Sequence, residues 1–331
     1  MSLSPNEELI VPSGDARLLE GGPIAAEIRQ AVAEDVETYR RRFGRVPVLA
    51  IVICGSDAPS MVYLRQILRA CEKVGIEGRL VEIGDDASES RVVQAIASLN
   101  AHPEVDGIIV QMPLPPTIRL RAVVDAIDPA KDIDGIHPLN AGLLRLGYDG
   151  FLPATAHAAV EILRRSGIEI EGQRAVVVGR SAVVGMPAAF LLLRENATVT
   201  VCHTRTRDLR HHVGDAEIVV VAAGVPGLIT GDMLRPGVVV VDVGINVVDG
   251  QLVGDVDFES ARGVASAITP VPGGVGPLTN ALLLAHLVRA AQARTGRAGD
   301  ESTANQDGDA DSQAAGPNGA FADITVSRGP A

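Results

Sequence analysis

Short runs of β-branched residues alternate with helical patterns along most of the chain, and that alternation decides the fold class. VLAIVIC (48–54) reads as a strand with little polar interruption, followed by a helix from about Ser60 to Val74 that Gly75 terminates. RLVEI (79–83) and DGIIVQ (106–111) are further strands, with helical segments near 88–100 and 118–127. After a break at 147–151 a second series begins: AVVVG (175–179), TVTVCH (198–203), EIVVVAA (217–223) and VVVVDVG (238–244). Strands buried on both faces and separated by helices indicate parallel β-α-β units. The economical architecture is therefore α/β and two-lobed, with one lobe over 15–150, a doubly wound lobe over 151–277 and a cleft between them. A final helix near 278–293 carries Leu282, Leu283, Leu284 and Leu287 and is apolar nearly all round. It is expected to cross back, pack against the first lobe and complete it.

Length and charge narrow the function classes. The 331 residues suffice for two domains with real cores. A net charge of −12 argues against a broad basic surface for nucleic acid or anionic membrane, while leaving room for local anion pockets. No apolar run is long enough to span a bilayer, and the first thirty residues do not read as a secretory signal, which points to the cytoplasm. Cys54, Cys71 and Cys202 are odd in number and set among apolar residues, as reduced core thiols are. No C-x-x-C or H-E-x-x-H spacing supports a metal site. Residues 1–14 read as a loose arm, and 295–331, rich in Gly, Ala, Ser and Asp, as a disordered acidic tail.

The strand at 175–179 runs into Gly179-Arg180-Ser181 and then Gly185, where a helix begins. Glycine at a strand's C-terminal end before a helix leaves backbone N–H groups free for a pyrophosphate, although the spacing is G-x-x-x-x-x-G rather than G-x-G-x-x-G. The next strand ends in His203-Thr204-Arg205-Thr206-Arg207. NAD sites usually place a carboxylate there for the ribose hydroxyls, whereas a basic and hydroxylic cluster suits a 2′-phosphate, so NADP is the expected cofactor.

Seven motifs then occur in one order: Ser60-x-x-Tyr63, Val110-Gln111-Met112-Pro113-Leu114-Pro115, Lys131-Asp132-Ile133-Asp134-Gly135, Gly179-Arg180-Ser181, Asp242-Val243-Gly244-Ile245-Asn246, Gly254-Asp255-Val256 and Pro270-Val271-Pro272-Gly273-Gly274-Val275-Gly276-Pro277. From about residue 20 to 293 the chain resembles the bifunctional methylenetetrahydrofolate dehydrogenase/cyclohydrolase family. The resemblance implies an N-terminal catalytic domain for a one-carbon tetrahydrofolate, a Rossmann domain for NADP, and a homodimer. Members oxidise 5,10-methylenetetrahydrofolate to the methenyl form, and most hydrolyse that to 10-formyltetrahydrofolate. Carried over by motif, Tyr63 contacts the folate, Gln111 hydrogen-bonds near the reacting centre and Asp134 holds the pterin. Val110, Met112, Pro272, Gly273, Gly274, Val275 and Gly276 border the folate. Gly179, Arg180, Ser181, Gly185, His203, Thr204, Arg205, Thr206, Ile245 and Thr279 face the cofactor. An acceptor-only carboxylate such as Asp134 suits the donors along a pterin edge.

One departure bears on activity. The family helix reads Tyr-x-x-x-Lys, and here it reads Tyr63-Leu64-Arg65-Gln66-Ile67. A hydrocarbon at 67 moves no proton, so the cyclohydrolase step is expected to be weak or lost while hydride transfer, which needs mainly positioning, is kept. Two other readings stay open: a catalytically silent folate- or nucleotide-binding paralogue, and a still bifunctional enzyme with Asp134 and water covering for the lysine. The chain has two lysines, Lys73 and Lys131, and the second sits in the Asp134 motif. Relatives also commonly have Pro-Cys-Thr-Pro-x-Gly where this chain has Pro153-Ala154-Thr155-Ala156-His157-Ala158, which makes His157 an extra group, either solvated at a helix start or entering the cleft.

Overall fold

The structure is a computed structural model and describes residues 15–55, 58–84 and 87–304. The expected loose arm at 1–14 and the tail beyond 304 lie outside the described residues. The elements in chain order are β1 (Arg17–Leu18), α1 (Gly21–Phe43), β2 (Val48–Cys54), α2 (Ala58–Val74), β3 (Glu77–Ile83), α3 (Glu89–Ala101), β4 (Gly107–Val110), α4 (Leu120–Ala126) and α5 (Pro138–Leu146). There follow α6 (Ala154–Arg165), β5 (Arg174–Val178), α7 (Gly185–Arg194), β6 (Thr198–Cys202), α8 (Leu209–Gly214), β7 (Ile218–Val221), β8 (Val239–Asp242), β9 (Asn246–Val248), β10 (Gln251–Val253), α9 (Phe258–Arg262), β11 (Ala267–Ile268) and α10 (Val275–Ala304).

Two parallel sheets result. The first has the order β3-β2-β4, and the second β1-β11-β8-β7-β5-β6. The buried β-branched runs became fully buried strands, with β2, β7 and β8 inside their sheets and β4 at the end of its own, beside the bridge to Asp132. β3 is an edge strand, half exposed, and Arg79 on it pairs with Glu77 and Glu104. Charges of this kind blunt an edge against further pairing. One expectation is corrected here: Arg17 and Leu18 do not start the first lobe but pair with Ala267 and Ile268 at the edge of the second sheet. The reason is that α1 must begin against the 273–274 turn, where the Gly21 N–H donates to the Gly273 carbonyl at 2.9 Å.

The side chains of the strands alternate between cores, as the pleat dictates. Val176, Val178, Val219 and Val221 fill the outer face of the second sheet, and Val48, Ala50, Val52 and Ile108 that of the first. Leu49, Ile51, Ile53, Ala175, Val177, Val220 and Val241 all enter one continuous core shared by both lobes. α10 runs through that core with Leu278, Leu282, Leu283, Leu284 and Leu287 buried. It also continues to Ala304, which corrects the expectation that structure stops at 295. A helix already nucleated extends at the cost of one residue's ordering per hydrogen bond. Among the described residues, no helix is long and apolar enough to cross a membrane.

Candidate functional site

The three residues expected to meet the folate come from the C-terminal end of the first sheet, where parallel α/β sheets present their ligand sites. Gln111 directly follows β4, tied to β2 by its N–H on the Val52 carbonyl at 2.8 Å. Its Nε2 donates to the Met112 carbonyl at 2.9 Å, which leaves Oε1 unengaged. Tyr63 lies in the first half of α2, the helix that follows β2. Asp134 arrives by way of a bridge in which Asp132 lies parallel to Ile108 of β4.

The segment around Asp134 is held from several sides. Lys131 is fully buried and its Nζ donates to the carbonyls of Leu99, Asn100 and His102 at 3.0, 2.7 and 2.9 Å. It therefore caps the C-terminal end of α3, so the lysine of the Asp134 motif has a structural task. Asp132, also fully buried, accepts from the N–H groups of Ile136 and His137 and from Asn140 Nδ2. Asp134 is the carboxyl left over. Burial raises it to about 7, the Asp132 carboxylate adds to the shift, and the Ala154 N–H at the start of α6 opposes it. A carboxyl near neutrality can both accept from a pterin and exchange a proton at working pH.

Ile67 is 2 % exposed and packs in the shared core. No lysine substitutes for it, since Lys131 is committed to α3 and Lys73 stands in the last turn of α2. Other assignments need correction. The Val110 side chain is buried in the outer core of the first sheet, so only its backbone can border a ligand. Val275 is likewise buried, and the Thr279 hydroxyl donates to the Val275 carbonyl at 3.3 Å inside α10, which leaves its oxygen able only to accept from a ligand. Met112 and Pro272 are exposed. Gly274 is enforced by close approach, because a Cβ there would meet Thr269 Cβ at 2.7 Å. His157 is neither solvated nor free in a cleft; its ring stacks on His286 of α10 at 5.5 Å and 8°.

At the second sheet, Gly179 has φ +132° and a Cβ on it would strike the Ala222 carbonyl. Gly185 is packed just as tightly on Gly179 and Arg180. Ser181 Oγ accepts from the N–H groups of Val184 and Gly185 at 3.1 and 3.2 Å, so it caps α7. The turn after β6 is knitted internally: Thr206 Oγ1 accepts from the His203 N–H, and His203 Nδ1 from the Arg205 N–H. His203 and Thr206 thus shape the turn, while Thr204, Arg205 and Arg207 project into solvent. Arg180, Arg205 and Arg207 are exposed and form no ion pair among the described residues, and Asp208, next in sequence, is used on the His211 N–H at the start of α8. The arrangement offers guanidiniums and no acceptor where a ribose 2′ substituent would lie. Ile245 is 67 % exposed, as a residue facing a ligand would be.

The sequence reading missed two buried acids that build the loops. Asp242 accepts from the N–H groups of Gly244, Asp255 and Val256, and burial nevertheless raises it to about 6. Asp255 accepts from Ala223, Gly224 and Asn246 Nδ2. Their signal was present in the paired D-V-G and G-D-V motifs, but its meaning needs the partners. A pocket of about 290 Å³ lined by Gln173, Glu217 and Arg235 opens at the opposite, N-terminal ends of β5, β7 and β8.

Residues 19–134 match the model of the tetrahydrofolate dehydrogenase/cyclohydrolase catalytic domain, and residues 153–295 that of the family's NAD(P)-binding domain. The chain belongs to the tetrahydrofolate dehydrogenase/cyclohydrolase family. A curated relative, bifunctional protein FolD of Roseiflexus sp., is 47 % identical over 278 residues, covering 84 % of this chain and 96 % of the relative. The solved structure of the bifunctional FolD methylenetetrahydrofolate dehydrogenase/cyclohydrolase from Campylobacter jejuni superposes with a TM-score of 0.82 at 40 % identity, over 84 % of this chain and 99 % of that one. The Trypanosoma brucei methylenetetrahydrofolate dehydrogenase-cyclohydrolase, complexed with NADP cofactor and inhibitor, gives 0.82 at 38 % identity over 85 % and 99 %. The two-domain fold, with a catalytic domain and a Rossmann-like NAD(P)-binding domain, is thus that of the family. The two solved structures carry both activities in their names, and nothing in the comparison marks a loss of hydrolysis.

Proposed function

We propose that this family member oxidises 5,10-methylenetetrahydrofolate to the methenyl form with NADP, and that ring opening to 10-formyltetrahydrofolate is the slower half-reaction. The observation that carries the oxidation is the conjunction of an acceptor carboxyl, Asp134, at the end of one sheet with the exposed Arg180 and Arg205 at the end of the other. NADP supplies the hydride acceptor when bound. Arg180, Arg205 and Thr204 would bind its 2′-phosphate, and the N–H groups of the Gly179–Gly185 turn its pyrophosphate. Asp134 would accept from the pterin, Gln111 would orient the one-carbon bridge, and Tyr63 would lie against the folate. Protein and methylenetetrahydrofolate mixed with NADP should generate reduced-nicotinamide absorbance; none would reject the reading and leave the silent paralogue.

Slow hydrolysis rests on Ile67, which carries no proton and is buried. Full bifunctionality is the second reading. It is favoured by the relatives' names and by Asp134, whose carboxyl near 7 could move the proton that a lysine otherwise would. Enzyme-dependent decay of methenyltetrahydrofolate as fast as hydride transfer would establish it. The proposed setting is cytoplasmic, and the domains are proposed as 15–150 and 151–277. The proposed assembly is a homodimer, supported by the exposed apolar hairpin of Val247, Val248 and Leu252 on β9 and β10. Sedimentation of Val247→Glu as a monomer, against a dimeric parent, would test that surface.

A further inference from the structure

The segment that delivers Asp134 is gripped by two helices through a pair of histidines that the proposed chemistry does not use. His286 Nδ1 lies 2.9 Å from the carbonyl oxygen of Ile133, the residue directly before Asp134. Ile133 is fully buried, so without this donor its carbonyl would be an orphan in the core. The His286 ring is fixed on one face by His157, nearly parallel at 8°, and is tilted against Phe151 at 5.9 Å. Phe151 is itself covered by the Arg289 guanidinium at 4.4 Å, and Arg289 Nη2 donates to the Gly150 carbonyl. Gly135, just past Asp134, has no room for a side chain, since a Cβ would meet the Phe151 carbonyl oxygen at 2.7 Å. His157 sits on α6, the helix whose first N–H, that of Ala154, reaches the Asp134 carboxyl. One helix thus supplies both a hydrogen bond to the carboxyl and the brace for the ring that holds its neighbour.

We infer that His286, braced by the stacked His157, is a positioning residue that sets where the Asp134 carboxyl meets the folate. The inference rests on the proposed folate-binding role of Asp134. Burial is the main reason both rings stay neutral. Proximity to His157 and Arg289 adds to it at His286, and Arg164, Arg289 and Arg165 add to it at His157 against the pull of Glu161; the rings fall to about 3 and about 4. The neutral His286 then donates Nδ1–H to Ile133. His157 Nδ1 finds no partner within the protein among the described residues, so its contribution is the ring face rather than a hydrogen bond.

The test uses the full chain and reads tetrahydrofolate binding by calorimetry, NADP binding by the same method, and steady-state KM and kcat. His286→Leu removes the donor and should weaken tetrahydrofolate binding and raise the folate KM about 10-fold, the scale of one buried hydrogen bond, with NADP binding and saturated kcat within about 3-fold. His286→Asn puts an amide Nδ2 where Nδ1 stood and should return folate binding to within about 3-fold of the parent. Where His286→Leu does not fold, the partly buried His157 decides: His157→Ala should weaken folate binding and His157→Phe, which keeps a stacking face, should not. Equal impairment of His286→Leu and His286→Asn, or of His157→Ala and His157→Phe, would mean bulk packing only and overturn the inference. Parental folate binding in His286→Leu would overturn it too. A parent that binds no tetrahydrofolate at all would instead defeat the proposed function, a distinguishable result.

Discussion

Asp134 illustrates how a single side chain couples binding to stability. Its carboxyl is held near 7 against 3.8 ordinarily, chiefly by burial, so the folded chain binds a proton there that the unfolded chain has released. Stability from this group is therefore full below about pH 4 and is lost as pH rises to about 7. Asp134→Asn should raise the thermal midpoint relative to the parent at pH 8 and not at pH 4, while weakening tetrahydrofolate binding about 10-fold. Folate affinity of the parent should strengthen as pH climbs through 7, because the ionised carboxylate is the acceptor, and the Asn variant should lose that dependence; a pH series of calorimetric titrations checks both. On the cofactor side, Arg205→Asp restores the carboxylate an NAD site would have. It should raise the NADP KM by about 10- to 100-fold, the worth of charge-assisted hydrogen bonds to phosphate, and lower that for NAD. Asp134, Gln111 and Arg205 were legible because each sits in a motif or at a strand end. The burial of the Val110 side chain was not legible, because a motif says nothing about which way a side chain points, and here it enters a core.

Elements were legible wherever burial alone shapes them. Strands β2, β4, β5 and β7 fall within a few residues of their apolar runs because a strand covered on both faces has little choice of composition. What holds an element's end is less visible, since the partner is remote in sequence. α3 is closed by Lys131 through three carbonyls, and no local pattern around His102 announces it. Lys131→Met should cost about 1–3 kcal/mol in urea unfolding by leaving those carbonyls unsatisfied, more than a surface lysine would. The folate KM should rise as well, because the same residue starts the Asp134 segment. The role of β1 was hidden for a related reason: two residues carry no periodicity, and only pairing with β11 places them.

At the scale of the molecule, the alternation of strands and helices foretold two lobes but not their shared core. Ile51 and Ile67 of the first lobe and Val177 and Val220 of the second lie in one cluster, with α10 through it. Contacts that extensive predict one unfolding transition. All three tyrosines, Tyr39, Tyr63 and Tyr148, precede residue 150. Tyrosine fluorescence therefore reports the first lobe, and NADP, bound by the second, should raise the midpoint it reads. Two separate midpoints would show independent lobes. The shared core also bounds what Ile67 can be exchanged for, since a lysine there must carry its ammonium out of an apolar setting along its own stem. Residue 67 is proposed to divide the two half-reactions. The ratio of methenyltetrahydrofolate hydrolysis to NADP reduction, in the parent and in Ile67→Lys, tests this on folded protein of verified thermal midpoint. The ratio should be low in the parent and rise about 100-fold in the variant, the usual worth of a placed general acid–base, with hydride transfer nearly unchanged. A parent ratio already high, or equal gains in both steps, would contradict it.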